Sequence, residues 1–135
     1  MKNVPGVLDA YSLIAYFENE KGAAEMIEVL KNAGASGQDL LLSAVNWGEI
    51  YYITLREAGE KKAMEVEQAI GNLPISIVGV DLELARRAAQ FKARYRMSYA
   101  DCFAAALAKV HRAELVTGDT EFKQIEGEVT IHWLQ

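Results

Sequence analysis

The chain has one cysteine, Cys102, and two histidines, His111 and His132, in 135 residues. A single thiol excludes an internal disulfide and any cysteine-based zinc cluster. Cys102 is therefore read as a small packing residue, in keeping with the usual burial of free cysteine. The two histidines are isolated from each other and from the cysteine, and an isolated histidine is a weak ligand signal, so both are read as structural or surface residues. With two prolines and no low-complexity or repeated stretch, nothing marks a linker, and residues 1–135 are expected to form a single domain. No apolar run approaches the roughly 20 residues a membrane span needs. Met1-Lys2-Asn3-Val4-Pro5 lacks the apolar core and cleavage site of a secretory signal. The expectation is a cytoplasmic protein with no membrane association.

Positive charge is also scarce. Lys and Arg number 14 against 19 Asp and Glu, a formal net charge of −5, which argues against a simple nucleic-acid coat protein. The distribution is uneven. Residues 1–85 carry 6 basic and 13 acidic side chains, whereas residues 86–135 carry 8 basic and 6 acidic ones. Arg86, Arg87, Lys92, Arg94 and Arg96 fall in one stretch without an acid. Such a strip suits phosphate-backbone contacts, although a charge run is also what an ordinary solvated helix face looks like.

Half of the residues, 51%, are hydrophobic, enough for a real core at this length. Their periodicity predicts strands at Val4 to Leu8, Leu40 to Ser43, Ile75 to Val78, Ala113 to Thr117 and Val129 to Trp133. It predicts helices at Ala10 to Glu20, Ala23 to Ala33, Asn46 to Ala58, Lys61 to Ile70, Asp81 to Tyr95 and Tyr99 to Val110, and a short one at Thr120 to Ile125. Gly34 to Gln38 reads as a loop. The strands are continuous apolar runs alternating with helices, the pattern of an α/β sandwich around a mostly parallel sheet. Ligands of such sheets bind beyond the carboxyl ends of the strands.

That rule selects acids. Asp9 follows the first strand and Asp119 follows the fourth, each before a helix. Glu49 and Asp101 are each expected in the first turn of a helix, in Asn46-Trp47-Gly48-Glu49 and Ser98-Tyr99-Ala100-Asp101, and both segments resemble capping boxes. Any one of these acids alone is explained by capping and the helix dipole. Capping does not fully explain Asp101, because the helix it opens, "SYADCFAAALA", is almost wholly apolar. A carboxylate there must be protonated or have a cation. Several carboxylates without histidine or thiolate partners are hard oxygen ligands suited to Mg²⁺ or Mn²⁺. Ser12 and Thr117 lie beside Asp9 and Asp119, where a hydroxyl could orient a carboxylate or a bound water, or serve only in local capping. Tyr11, Tyr16, Tyr51, Tyr52 and Trp47 lie near the acidic segments and could stack on unpaired bases. Trp47 and Tyr51 fit a buried helix stripe or a dimer contact better.

Four segments, "VLDAYSLIAYF" (Val7 to Phe17), "NWGEIYYI" (Asn46 to Ile53), "SYADCFAAALA" and "LVTGDTEF" (Leu115 to Phe122), together resemble the PIN-domain ribonucleases, and among them the VapC-type toxins of toxin–antitoxin pairs. Each segment is a weak signal; their order and spacing over nearly the whole chain make the likeness specific. The resemblance implies a three-layer α/β/α sandwich. It implies a site built from Asp9, Glu49, Asp101 and Asp119, with Thr117 and Ser12 as companion hydroxyls. It further implies one or two Mg²⁺ or Mn²⁺ ions, RNA as the substrate, a homodimer and a cognate antitoxin as partners. The reaction it implies is endoribonucleolytic hydrolysis of RNA phosphodiester bonds by metal-activated water, with Asp9 and Asp101 as the core ligands.

Two other readings compete. A phosphoacceptor signalling domain also places aspartates at strand ends, but it would carry a lysine at a strand end and would leave Glu49 and Asp101 without a role. A catalytically idle PIN-like interaction protein would not need all four acids.

Overall fold

The computed structural model describes residues 6–135. Among them, five strands form one sheet in the order β3-β2-β1-β4-β5. They are β1 (Gly6–Leu8), β2 (Leu40–Ser43), β3 (Ile75–Val78), β4 (Glu114–Thr117) and β5 (Ile131–Trp133), and every pairing is parallel. Six α-helices flank the sheet: α1 (Ala10–Phe17), α2 (Ala23–Ser36), α3 (Ala44–Ala58), α4 (Glu60–Gly71), α5 (Leu82–Arg94) and α6 (Tyr99–His111). A 3-10 helix spans Thr120–Ile125. The fold is therefore the expected α/β one, with the sheet wholly parallel. Val4 and Pro5, the first two residues of the expected first strand, lie outside the described residues.

Strand alternation divides the core in two. Val7 and Leu115 point to one face, where they pack with Leu84, Phe91, Phe103 and Phe122 of the α5–α6 side. Leu8 and Val116, the next residues, point to the other face, among Leu13, Met26, Ile50 and Ile70 of α1 to α4. A sheet buried on both faces needs apolar residues at both parities, which is why the strands read as continuous runs.

The register has one consequence for a site. β1 is central, and the chain leaves it toward β2 and β3 on one side and returns to β4 and β5 on the other. The strand order thus reverses between β1 and β4, and the carboxyl ends of these two strands are where such sheets form a ligand crevice.

Several element ends differ from expectation. The first helix stops at Phe17 rather than Glu20, because Asn19 takes a left-handed conformation with φ 53°. The second runs through Gly34 to Ser36, so the expected loop is mostly helix. The terminator is Gly37, at φ 72°, the left-handed residue that commonly follows a helix. The third begins at Ala44 with Ser43 as its cap, the hydroxyl accepting from Val45 N at 3.1 Å. Asn46 is therefore not a cap, and Glu49 lies in the second turn, not the first.

Candidate active site

The crevice between β1 and β4 is where the acids gather. Asp9 ends β1 and caps α1, and it is only 1% exposed. Both of its carboxylate oxygens are engaged: Oδ1 accepts from Ser12 N at 2.9 Å and Oδ2 from Thr117 Oγ1 at 2.5 Å. Thr117, the buried last residue of β4, also accepts from Asp119 N at 3.0 Å. One hydroxyl thereby joins the two strand-end aspartates. Toward its neighbour Asp119, Thr117 accepts only from the backbone amide, while its own proton goes to the Asp9 carboxylate. Ser12 contributes its amide to the Asp9 carboxylate, and its hydroxyl donates to the Asp9 main-chain carbonyl at 2.9 Å.

Asp101 comes from the other side. Ser98 caps α6 by accepting from Asp101 N at 3.1 Å, which sets the carboxylate in the first turn as anticipated. Residues 101–108 are all buried, so α6 has no solvent side over that stretch. Asp119 caps the 3-10 helix, its Oδ1 accepting from Glu121 N at 2.9 Å. Carboxylate oxygens of Asp101, Asp119 and Glu121 lie within 4.8 Å of one another.

Glu49 reaches the crevice from α3, guided by Asn46. Asn46 is fully buried, and its Nδ2 donates to Ala100 O at 3.0 Å and lies 3.5 Å from Glu49 Oε1. One amide thus ties the start of α3 to the start of α6 and holds Glu49 beside Asp101. The Oδ1 of Asn46 has no hydrogen-bond partner, a buried acceptor left open at the edge of an acidic cluster.

The electrostatics follow from this crowding. Burial pushes the Asp9 carboxyl up to about 7, against the pull of its bonds from Thr117 and Ser12, and the Asp119 charge adds to the rise. Burial raises Asp101 to about 8, reinforced by the charges of Asp119 and Asp9, a carboxyl–carboxyl bond to Glu121 and the charge of Glu49. Glu49 is raised by burial and by Asp119, and held down by Asn46. Each of the four expected acids therefore feels at least one of the others, so the fold brings all four together. No lysine or arginine pairs with any of them among the described residues. The donor set is all carboxylate, with hydroxyl and amide support, and it fits a hard divalent cation.

Glu121 and Asn46 were not singled out from sequence. The spacing Asp119-Thr120-Glu121 at the start of a helix was the available signal for the first. Asn46 gave none, since its partner carbonyl is 54 residues away.

The other expected residues lie elsewhere. Arg86 and Arg87 both pair with Glu83, at 2.6 and 2.9 Å, an acid just outside the acid-free stretch. Arg94 and Lys109 share Glu128, which also accepts from the Tyr95 hydroxyl. These bonds hold the Glu128 carboxyl down at about 2. Lys92 donates to Met97 O at 2.7 Å. Arg96 is bound through its main chain to the Gln124 side chain, which also reaches Glu121 O. Arg96 therefore sits beside the 3-10 helix that carries Glu121. Trp47 and Tyr51 stack on each other with centroids 5.3 Å apart and are half-buried. His132 lies near Glu25 and Glu114, away from the crevice. Cys102 is fully buried, and burial pushes its thiol up to about 11, so it stays a packing residue.

The family described as PIN domain matches residues 6–128. Among solved structures, the chain is similar to a toxin–antitoxin complex from Klebsiella pneumoniae, at 23% identity and a TM-score of 0.70, over 93% of this chain and 96% of that one. It is similar to DNA-bound VapBC from Salmonella typhimurium, at 17% identity and a TM-score of 0.74, over 96% and 98% of the two chains. A third likeness is to VapC20 of Mycobacterium tuberculosis, described as a sarcin-ricin loop cleaving toxin, at 18% identity and a TM-score of 0.67, over 92% and 96%. No curated protein sequence matches the chain.

Proposed function

The chain belongs to the PIN-domain family, and from that premise we propose that it is a divalent-metal-dependent endoribonuclease of the VapC type, the toxin of a toxin–antitoxin pair. The observation that carries this reading is the convergence of Asp9, Glu49, Asp101 and Asp119 on one crevice with no lysine or arginine paired to them among the described residues. The similar structures from K. pneumoniae, S. typhimurium and M. tuberculosis, described as a toxin–antitoxin complex, as DNA-bound VapBC and as a sarcin-ricin loop cleaving toxin, support the same class.

Asp9 and Asp101 are the residues that would hold a Mg²⁺ or Mn²⁺ ion, and Glu49, Asp119 and Glu121 would hold a second or bind through water. When bound, the cation supplies the acidity that activates water at neutral pH and neutralises phosphate charge. The protein's own contribution is positional. Thr117 and Ser12 fix both oxygens of Asp9, so its ligand direction is set before the ion arrives. Asn46 does the same for Glu49. The closed packing of α6 keeps Asp101 from turning toward bulk water. A phosphodiester laid across this rim would be cleaved by in-line attack, leaving a 5′-phosphate and a 3′-hydroxyl. RNA is the substrate in this reading, and a cognate antitoxin and a second copy of the chain are its protein partners.

The test is cleavage of a structured RNA with Mg²⁺, comparing the wild type with Asp101→Asn. The variant keeps the shape and removes the charge, so it should stay folded and lose at least about a hundredfold in rate, the scale of a lost electrostatic contact at a reacting centre. Cleavage at the wild-type rate by the variant would refute the assignment of the site. Wild-type protein that neither cleaves RNA nor binds Mg²⁺ would favour an idle interaction module.

A further inference from the structure

Gly118 stands in the middle of the Thr117-Gly118-Asp119 turn, and nothing in its backbone requires glycine. The glycines with positive φ are Gly22, Gly37 and Gly59; Gly118 is not among them, so an L-residue could adopt its conformation. What excludes a side chain is Tyr11. A Cβ at position 118 would lie 2.8 Å from Tyr11 Cζ and 3.0 Å from its hydroxyl oxygen, with Cε1 closer still. Real Cβ atoms do not come that near to a ring. The Tyr11 ring therefore occupies the place a side chain at 118 would take.

The place matters because of what lies on either side. Tyr11 belongs to the first turn of α1, two residues after Asp9 and one before Ser12. Gly118 separates Thr117, which donates to Asp9, from Asp119, whose amide bonds Thr117. The polar links in this corner therefore run through one hydroxyl. The aromatic ring is a second, apolar link between the same two segments, laid over the turn that aims the Asp119 carboxylate. We propose that Tyr11 is a positioning residue of the site, matched to Gly118, and that the pair sets the Asp119 turn against Asp9. Its catalytic meaning rests on the ribonuclease reading above, whereas its geometry does not.

An alanine at 118 must either displace the ring or shift the turn. In the first case Gly118→Ala reproduces Tyr11→Ala. In the second it is worse, and removing the ring relieves it. Under both, the Tyr11→Ala, Gly118→Ala double variant is no worse than Gly118→Ala alone. Two independent residues would instead give penalties that multiply.

The experiment measures three things on the wild type, both single variants and the double variant. They are the amide chemical shifts of Thr117, Asp119 and Glu121 by NMR, Mn²⁺ affinity by calorimetry, and RNA cleavage at saturating and limiting substrate. The expected results are shifted amides and a loss of about tenfold or more in metal affinity and kcat for Gly118→Ala, with KM little changed. In the double variant, no further loss should follow. Multiplying losses, or a Gly118→Ala protein with wild-type amide shifts and affinity, would overturn the pairing. If the wild type neither binds Mn²⁺ nor cleaves RNA, the ribonuclease reading fails, and the amide shifts still decide whether ring and turn are coupled.

Discussion

Asp9 is raised to about 7 and Asp101 to about 8, so at pH 6, without metal, these two carboxyls hold their protons. The stability consequence has a definite sign. Both carboxyls are raised above their unfolded value of 3.8. Between about pH 4 and 8 the folded state therefore binds more protons than the unfolded one. Unfolding free energy then falls as pH rises through that window. Glu49, also raised, adds to the trend, and Glu128, held near 2, acts below it. In the presence of EDTA, the thermal midpoint should be highest near pH 5 and fall toward pH 8.5, by an amount on the order of a few kcal/mol in stability. Mg²⁺ should reverse the trend by binding the ionised form, with its largest stabilisation at the alkaline end. Melting curves over this range with and without Mg²⁺ check it. A metal-free midpoint that rises from pH 5 to 8.5 would mean that the two aspartates are not held in the surroundings described.

At the scale of elements, α6 is the part on which the site depends most. Asp101 and Ala105 are four residues apart, hence on one face, and Ala105 is fully buried. Ala105→Leu inserts volume where none is available and should cost about 1–3 kcal/mol. It should also weaken Mn²⁺ binding, because the helix can relieve the clash only by moving Asp101. Asp81→Ala is the control. It removes a cap on α5, where Asp81 Oδ1 accepts from Leu84 N at 2.8 Å, and should cost about 1 kcal/mol with metal affinity unchanged. Denaturant melts with Mn²⁺ titrations separate the two, and equal effects on affinity would dissociate α6 packing from the site. Much at this scale was legible in the sequence. Uninterrupted apolar strands gave away a sheet buried on both faces, and strand-end acids marked the rim. What misled was competition between equivalent signals. Gly34 was read as opening a loop, but Gly37 is the glycine that took the left-handed conformation and ended the helix. Asn46 was read as a cap, but Ser43 took that place and the Asn46 amide was claimed by the Ala100 carbonyl at the start of α6. The bond from Thr117 to Asp9 spans 108 residues, a distance at which periodicity carries no information.

For the whole molecule, the difficulty under the proposed ribonuclease function is that an acidic chain would have to take a polyanion. Two divalent cations in the crevice would bring the formal charge from −5 to about −1, which removes the local repulsion without creating a binding surface. The basic strip is then the natural source of attraction, yet its members are unequal. Arg86 and Arg87 already share Glu83, and Arg94 and Lys109 share Glu128, so a phosphate there competes with carboxylates in place. Arg96 is exposed, its described bonds are main-chain ones, and it stands against Gln124 on the 3-10 helix that carries Glu121. On the proposed function, a nucleic acid that reaches the crevice from this side would pass it. Arg96→Ala should therefore weaken RNA binding more than the Arg86→Ala, Arg87→Ala double variant does, evenly across RNA sequences. It should lower the slope of log affinity against log salt by about 0.7, one single-strand phosphate contact. The measurement is a salt titration of binding by the Asp101→Asn protein, which holds RNA without consuming it. A slope that drops for the Arg86, Arg87 pair and not for Arg96 would move the RNA path to the far end of α5.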